Sequence, residues 1–228
     1  MKTGAIVSAR MDNLTCVNSN ILRTLKDKSV LEHFFERILQ AHNIKDIIVI
    51  TSDLEEDDNV FEMCKKLSIK CYRDKKNDIL SSFYHVSKEN EIDIIVKISP
   101  ISPVIDPFVV DSMIDFFELR FNDVVTTADK GYGNRTFPRG FDVDVFAFKD
   151  LENAFNKVKD DYQKIDFMSY IFENTDKIFT YRNKVDFSKY DLSIENDETF
   201  NIMEGIYNKL YDGKHNFYLD KVVDCISN

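Results

Sequence analysis

The chain has 228 residues, enough for one sizeable α/β domain, and 43% of them are hydrophobic, as in an ordinary globular protein. A formal net charge of −10 argues against nucleic acid as the main partner, and no apolar run approaches membrane-spanning length. Cys16, Cys64, Cys71 and Cys225 form no C-x-x-C pair and match no zinc spacing; with no signal peptide at the start, they read as reduced thiols of a cytoplasmic protein.

Strand-like and helix-like runs alternate from the start. The first apolar run, GAIVSA (4–9), gives way to a polar stretch, RMDNLTCVNSN. VLEHFFERILQAH (30–42) places Val30, Leu31, Phe34, Phe35, Ile38 and Leu39 on one helical face. DIIVITS (46–52) is a continuous β-branched run, as expected of a strand covered on both faces. DNVFEMCKKL (58–67) reads as a helix that Asp57 or Asp58 caps, and KCYRD (70–74) as a short strand. DILSSFYHVSKEN (78–90) is helical and DIIVKIS (93–99) is another buried strand. The prolines of PISPVIDP (100–107) stop that strand, and Pro107 opens a helix over 107–120. DVVTTA (123–128) is a further strand, so short crossovers and a mainly parallel sheet are the economical arrangement.

Beyond residue 128 the pattern changes. DKGYGNRTFPRG (129–140) is a loop holding three of the six glycines. FDVDVFAF (141–148) alternates and reads as a strand, followed by helices near 149–158 and 163–173. KIFTYRN and DLSIE are strand-like, DETFNIMEGIYNKLY (197–211) is helical, and 212–228 holds a short amphipathic helix. A single domain over 1–228, with a smaller insertion at about 129–190, fits this order.

Open parallel sheets bind ligands beyond the carboxyl ends of their strands. The first such loop offers Arg10, Asp12, Asn13, Thr15, Asn18, Ser19 and Asn20, either a phosphate cradle or an ordinary polar turn. SDLEEDD (52–58) carries five acids in seven residues, a cation cluster or a solvated capping loop. Asp142 and Asp144 lie two apart on a predicted strand and so point the same way, toward a metal, toward sugar hydroxyls, or simply toward solvent. Glu195 closes the preceding strand, and Asp197 is a plausible cap for the last long helix. None of His33, His42, His85 and His215 has metal spacing to another.

The order of IVSARM, LEHFFERILQA, DIIVITSDLEEDD, CYRDKKNDIL, VKISPISPVIDP, FPRGFDVDVFAF, KDDYQKIDFMSYI and LSIENDETFNIMEGIY resembles the cytidylyltransferase family that includes the spore-coat protein SpsF and the acylneuraminate synthetases. The resemblance spans about residues 4–211. It implies a Rossmann-like, mainly parallel sheet flanked by helices, of the nucleotide-diphospho-sugar transferase type, with a small inserted lobe on the acceptor or dimerisation side. It implies transfer of CMP from CTP, or another nucleotide, to a sugar acid or related acceptor in polysaccharide biosynthesis. Mg²⁺ as cofactor and a homodimer follow from the same source.

By that resemblance, Ala9, Arg10, Asn13, Arg73, Asp78 and Ser99 would meet the nucleotide. Arg10, Asn20 and Asp142 would be catalytic, Arg139, Gly140 and Asp144 would face the acceptor, and Glu195 with Asp142 would hold metal. The chain departs from the family in four places. CVNSN stands where the family has Leu-Pro-Gly-Lys, leaving Asn20 at the lysine, and Ile101 replaces an aspartate. ENDE replaces a metal-binding Asp-Thr-Pro, and Asp166 a histidine. Lys97, Arg135 and Arg139 are the basic residues that could make good the missing lysine. A catalytically impaired relative, binding nucleotide or sugar or serving as a partner subunit, is the alternative.

Overall fold

The structure is a computed structural model that describes residues 1–11, 19–74, 78–120, 123–128 and 135–227. Its elements in chain order are β1 (Thr3–Ser8), a 3-10 turn (Ser19–Leu22), β2 (Thr24–Leu25), β3 (Lys28–Ser29), α1 (Val30–Ile38), β4 (Asp46–Ser52), α2 (Asp58–Lys66) and β5 (Lys70–Asp74). Then come α3 (Ile79–Glu89), β6 (Ile94–Ile98), α4 (Pro107–Arg120), β7 (Val124–Thr126), β8 (Val143–Ala147), α5 (Phe148–Lys157), α6 (Asp161–Ile165), α7 (Phe167–Glu173), β9 (Ile178–Thr180), α8 (Asp197–Leu210) and α9 (Leu219–Ser227).

Seven strands form one sheet in the order β5-β4-β1-β6-β8-β7-β9, and β2 pairs with β3 as a separate hairpin. The expected parallel arrangement holds for every pairing in the large sheet except those of β8, which runs antiparallel to both β6 and β7. β8 and β9, which fall within the expected 129–190 insertion, are strands of the large sheet. Helices cover both faces. Ala5, Val7, Val96 and Val145 pack toward α1, α4, α8 and α9, and Ile6, Ile50, Ile95 and Phe146 toward α3, α5 and α7. No helix among the described residues is long and apolar enough to cross a membrane, and Cys64, Cys71 and Cys225 are free thiols.

Local chemistry sets the boundaries. α1 starts at a capping box in which Ser29 Oγ accepts from the Glu32 N–H and the Glu32 carboxylate accepts from the Ser29 N–H. It ends at Ile38, so Leu39 caps it and is 55% exposed rather than packed with the face read from the sequence. Arg37, fully buried, donates from Nε to the Ile105 carbonyl at 2.7 Å and from Nη2 to the Phe217 carbonyl at 2.9 Å, pinning α1 to the segments that lead into α4 and α9.

The expected helix at 163–173 breaks at Asp166, where φ −102° and ψ 62° separate α6 from α7. DLSIE is not a strand: only Asp191 bridges, to Arg139, and the rest runs as an extended strip. α8 is capped by Asn196, whose side chain accepts from the Thr199 N–H. Asp197, expected as the cap, lies inside the first turn and pairs with Arg23 at 2.7 Å.

Candidate active site

Partners in a ladder point to the same side of a sheet. Ile6 pairs with Lys97, Lys97 with Asp144, and Asp144 with Thr126. Ser8 lies two residues beyond Ile6, and Ser52 pairs with Asp74 on the same face. A row of polar side chains therefore crosses the carboxyl edge of the sheet on the face that carries α3, α5 and α7. Below the row the same face is hydrophobic, with Ile6, Ile50, Ile95, Val124 and Phe146 in one core cluster.

The centre of the row is a charged pair. Asp144 is 4% exposed, accepts from Thr126 Oγ1 at 2.7 Å, and lies 3.7 Å from Lys97 Nζ. Lys97 keeps 36% of its side chain exposed. Asp144, which the resemblance sets toward the acceptor, is buried on a strand between β6 and β7 and pairs there with Lys97 at the sheet's edge. Asp142 lies one residue before β8, which begins at Val143, and so stands outside the ladder that sets that face. Ser8 Oγ, on the same side, is buried without a hydrogen-bond partner among the described residues.

The entry to the first loop is held by its neighbours. The Ala9 N–H donates to the Ile50 carbonyl at 2.9 Å, and Thr51 Oγ1 donates to the Ala9 carbonyl at 2.8 Å. Arg10 follows, with its side chain 1% exposed. Asn13 lies outside the described residues. Asp57, expected as a helix cap or part of a solvated acidic loop, is fully buried and makes no cap bond. One of its oxygens accepts from the Met11 N–H at 3.0 Å; the other accepts from the Ser52 N–H at 2.9 Å and Ser52 Oγ at 2.5 Å. It staples the first loop to the end of β4. Asp57→Ala would orphan one buried and one part-buried backbone donor and the buried Ser52 hydroxyl, so a loss of about 2–4 kcal/mol is expected, read as a lower midpoint in chemical denaturation; a wild-type midpoint would refute the staple.

Arg73 and Asp78, expected against the nucleotide, are bound to groups of the protein itself. Arg73 donates from Nε to the Ser52 carbonyl and from Nη2 to the Leu54 carbonyl, each at 2.9 Å, and pairs with Asp58 at 2.7 Å. Asp78 caps α3, accepting from the Ser81 N–H at 2.8 Å. Ser99 is half-buried just past β6. Ile101 is buried, and its carbonyl accepts from the Ile194 N–H at 2.7 Å.

That last bond brings the 190–195 strip to the same edge. The Arg139 N–H donates to the Tyr190 carbonyl at 3.0 Å, and the Leu192 N–H to the Arg139 carbonyl at 2.9 Å. Gly140 sits between them at φ +91°, where a Cβ would lie 2.8 Å from backbone atoms of Leu192 and Ser193. Gly140 is thus required by the close approach of two backbones. Arg139, 59% exposed, reaches Glu195 at 3.0 Å and Asp191 at 3.7 Å. Arg135 is spent within its own loop, donating to Phe137 O at 2.7 Å, to Pro138 O and to Asp142 at 2.6 Å. Asp142 also accepts from the Gly140 N–H at 3.2 Å.

The structure therefore gathers Arg10, Ser99, Lys97, Asp144, Arg139, Asp142 and Glu195 along one edge, with Arg73 and Asp78 bracing its far end. It adds Arg23, which sequence reasoning passed over. This residue follows Asn20, whose side chain it meets at 3.3 Å, pairs with Asp197 and lies 3.5 Å over the Phe200 ring, tying the first loop to α8. The polar row did leave a signal in the sequence. Successive strand-like runs close on Ser8, Ser52, Asp74, Lys97 and Thr126, where only the last turn of each strand escapes the hydrophobic face.

A family model described as cytidylyltransferase matches residues 5–218. An uncharacterized protein of Methanocaldococcus jannaschii is 30% identical over 174 residues, covering 76% of this chain and 68% of that protein. The spore coat polysaccharide biosynthesis protein SpsF of Bacillus subtilis is 29% identical over 113 residues, covering 48% of this chain and 47% of SpsF, about half of each. The structure of a cytidylyltransferase from Leptospira borgpetersenii superposes with a TM-score of 0.87 at 27% identity, over 100% of this chain and 93% of that one. A CMP:2-keto-3-deoxy-manno-octonic acid synthetase solved with CTP shares the fold, with a TM-score of 0.68 at 13% identity over 92% and 99% of the two chains.

Proposed function

The chain belongs to the cytidylyltransferase family and is a nucleotidyltransferase; on that premise we propose that it transfers CMP from CTP to a sugar acid or related acceptor in surface polysaccharide or glycan biosynthesis. An acceptor oxygen attacks the α-phosphorus, a new P–O bond forms, the bond to the β-phosphate breaks, and pyrophosphate leaves with its electron pair. The acceptor's proton, where the oxygen is a hydroxyl, passes to solvent. Such transfers depend on positioning and on neutralising charge rather than on covalent chemistry with the protein. The observation that supports the reading is Lys97 paired with buried Asp144 near the carboxyl end of β6, on the sheet edge at which the Arg139–Glu195 pair also stands.

Each group then has a task. Lys97 supplies the positive charge that the family's loop lysine supplies elsewhere, with Asn20 left as a neutral donor. Backbone N–H groups of the first loop and Arg10 accompany it on the phosphates. Arg139 orients an anionic acceptor. Asp142 and Glu195 are hard oxygen donors, 39% and 37% exposed, and fit Mg²⁺, which takes one or two carboxylates and fills its remaining positions with phosphate and water. Held there, Mg²⁺ would offset the triphosphate's charge.

One observation favours the second reading, a relative that binds without turning over. Arg73 and Arg135 spend their donors on their own loops, and Ile101 is buried where the family has an aspartate. A pyrophosphate-release assay with CTP and Mg²⁺ over a panel of sugar acids decides between the two. Release that requires one acceptor supports transfer, whereas CTP binding with no release on any acceptor supports the binding role.

A further inference from the structure

Away from the candidate active site, two buried histidines meet. His33 on α1 is fully buried and His215, in the loop before α9, is 6% exposed; His33 Nδ1 lies 3.0 Å from His215 Nε2. His33 Nε2 lies 2.7 Å from the Leu25 carbonyl, which can only accept. Nε2 therefore carries the proton, and the neutral ring turns its Nδ1 lone pair toward His215. A backbone carbonyl fixing one imidazole nitrogen so that the other offers a lone pair is the support found behind metal-ligating histidines. Burial favours the uncharged form of both rings, holding His33 below its ordinary value and, with Arg37 and His33 nearby, pushing His215 down to about 3.

Glu36, one helical turn beyond His33, brings a carboxylate to the pair. One ligand atom from each of His33, Glu36 and His215 can be chosen so that all three lie within 4.8 Å of one another. Both Glu36 oxygens lie 2.7 Å from Lys28 Nζ, which orients the carboxylate from the solvent side. The Tyr211 ring packs 4.9 Å from His33 and 5.0 Å from His215, and its buried hydroxyl interacts with Lys28.

We propose that His33, His215 and Glu36 form a structural binding site for a borderline transition-metal dication, Zn²⁺ above all, that ties α1 to the C-terminal loop. Two nitrogens and one carboxylate oxygen are a recognised donor set for Zn²⁺. Ligand nitrogens around a tetrahedral zinc stand on the order of 3.3 Å apart, so the observed 3.0 Å needs a separation of only a few tenths of an ångström. A water completes the coordination. The site shares no residue with the polar row, so CTP turnover and zinc binding succeed or fail separately.

Equilibrium dialysis of the chelator-stripped full chain against Zn²⁺ tests the proposal, together with the visible absorption of the Co²⁺ form. One equivalent retained, a raised Tm and a tetrahedral Co²⁺ band are expected. His215→Gln and Glu36→Gln should each weaken binding by about a hundredfold or more, beyond the loss typical of outer-shell changes, and remove the band. Glu36 is a third exposed, so its variant should fold even where His215→Gln does not. No equivalent above the surface background, or uptake and a Co²⁺ band unchanged in the Glu36→Gln chain, would overturn the site.

Discussion

Lys97→Gln is expected to lower kcat/KM for CTP by about a hundredfold or more while the chain stays folded, since removing one preorganised donor from a developing anion typically costs about 2.7–4 kcal/mol. Glutamine keeps an amide that can still bond Asp144, so the buried carboxylate is not stranded. What disappears is the positive charge at the edge of the sheet. If Lys97 only balanced Asp144, the variant would melt at a lower temperature yet turn over normally per folded molecule. That outcome would move the phosphate contact elsewhere and leave Arg139 as the exposed cation of the Arg139–Glu195 turn.

Gly140→Ala is expected to act through the backbone. At φ +91° an L-residue is strained by about 1–3 kcal/mol, and its Cβ would press on Leu192 and Ser193 at 2.8 Å, where neither neighbour is the flexible end of a side chain. Relief requires the 190–195 strip to move off Arg139, carrying Glu195 with it. A total loss of roughly 2–6 kcal/mol follows, because overpacking adds about 1–3 kcal/mol to the strain. Displacement of Glu195 should also reduce activity by about a hundredfold, the usual penalty for a misplaced group near 1 Å. Denaturation and initial rates measured on the same preparation check both parts. Wild-type values in both would mean that the strip is not held by this contact.

The fold was legible where one run of residues decides its own state. The β-branched run 46–52 and the helix opened by Pro107 have the limits read from the sequence, because burial on both faces and a fixed φ leave little for distant residues to settle. The alternation at 141–148 misled. It reads as a half-exposed strand, but β8 lies between β6 and β7, and its polar member, Asp144, is buried against Lys97 and Thr126. A strand's place in a sheet is decided by pairing, which periodicity does not encode. The same holds for Asp57, whose three donors come from β4 and the first loop, and for Gly140, whose constraint is set by a strip some fifty residues further on. Resemblance supplied the chemistry of the site; register brought Lys97 to the sheet's edge, and tertiary pairing set which backbone groups Arg73, Asp78 and Gly140 meet.

Calorimetric titration of the purified chain with CTP and Mg²⁺, run beside ATP, GTP and UTP, addresses the cytidine nucleotide site most directly. Saturable binding of CTP at one site per chain, weaker for the other nucleotides and reduced in Lys97→Gln, is the expected result. Absence of heat and of competition for every nucleotide, with the protein folded, would contradict it.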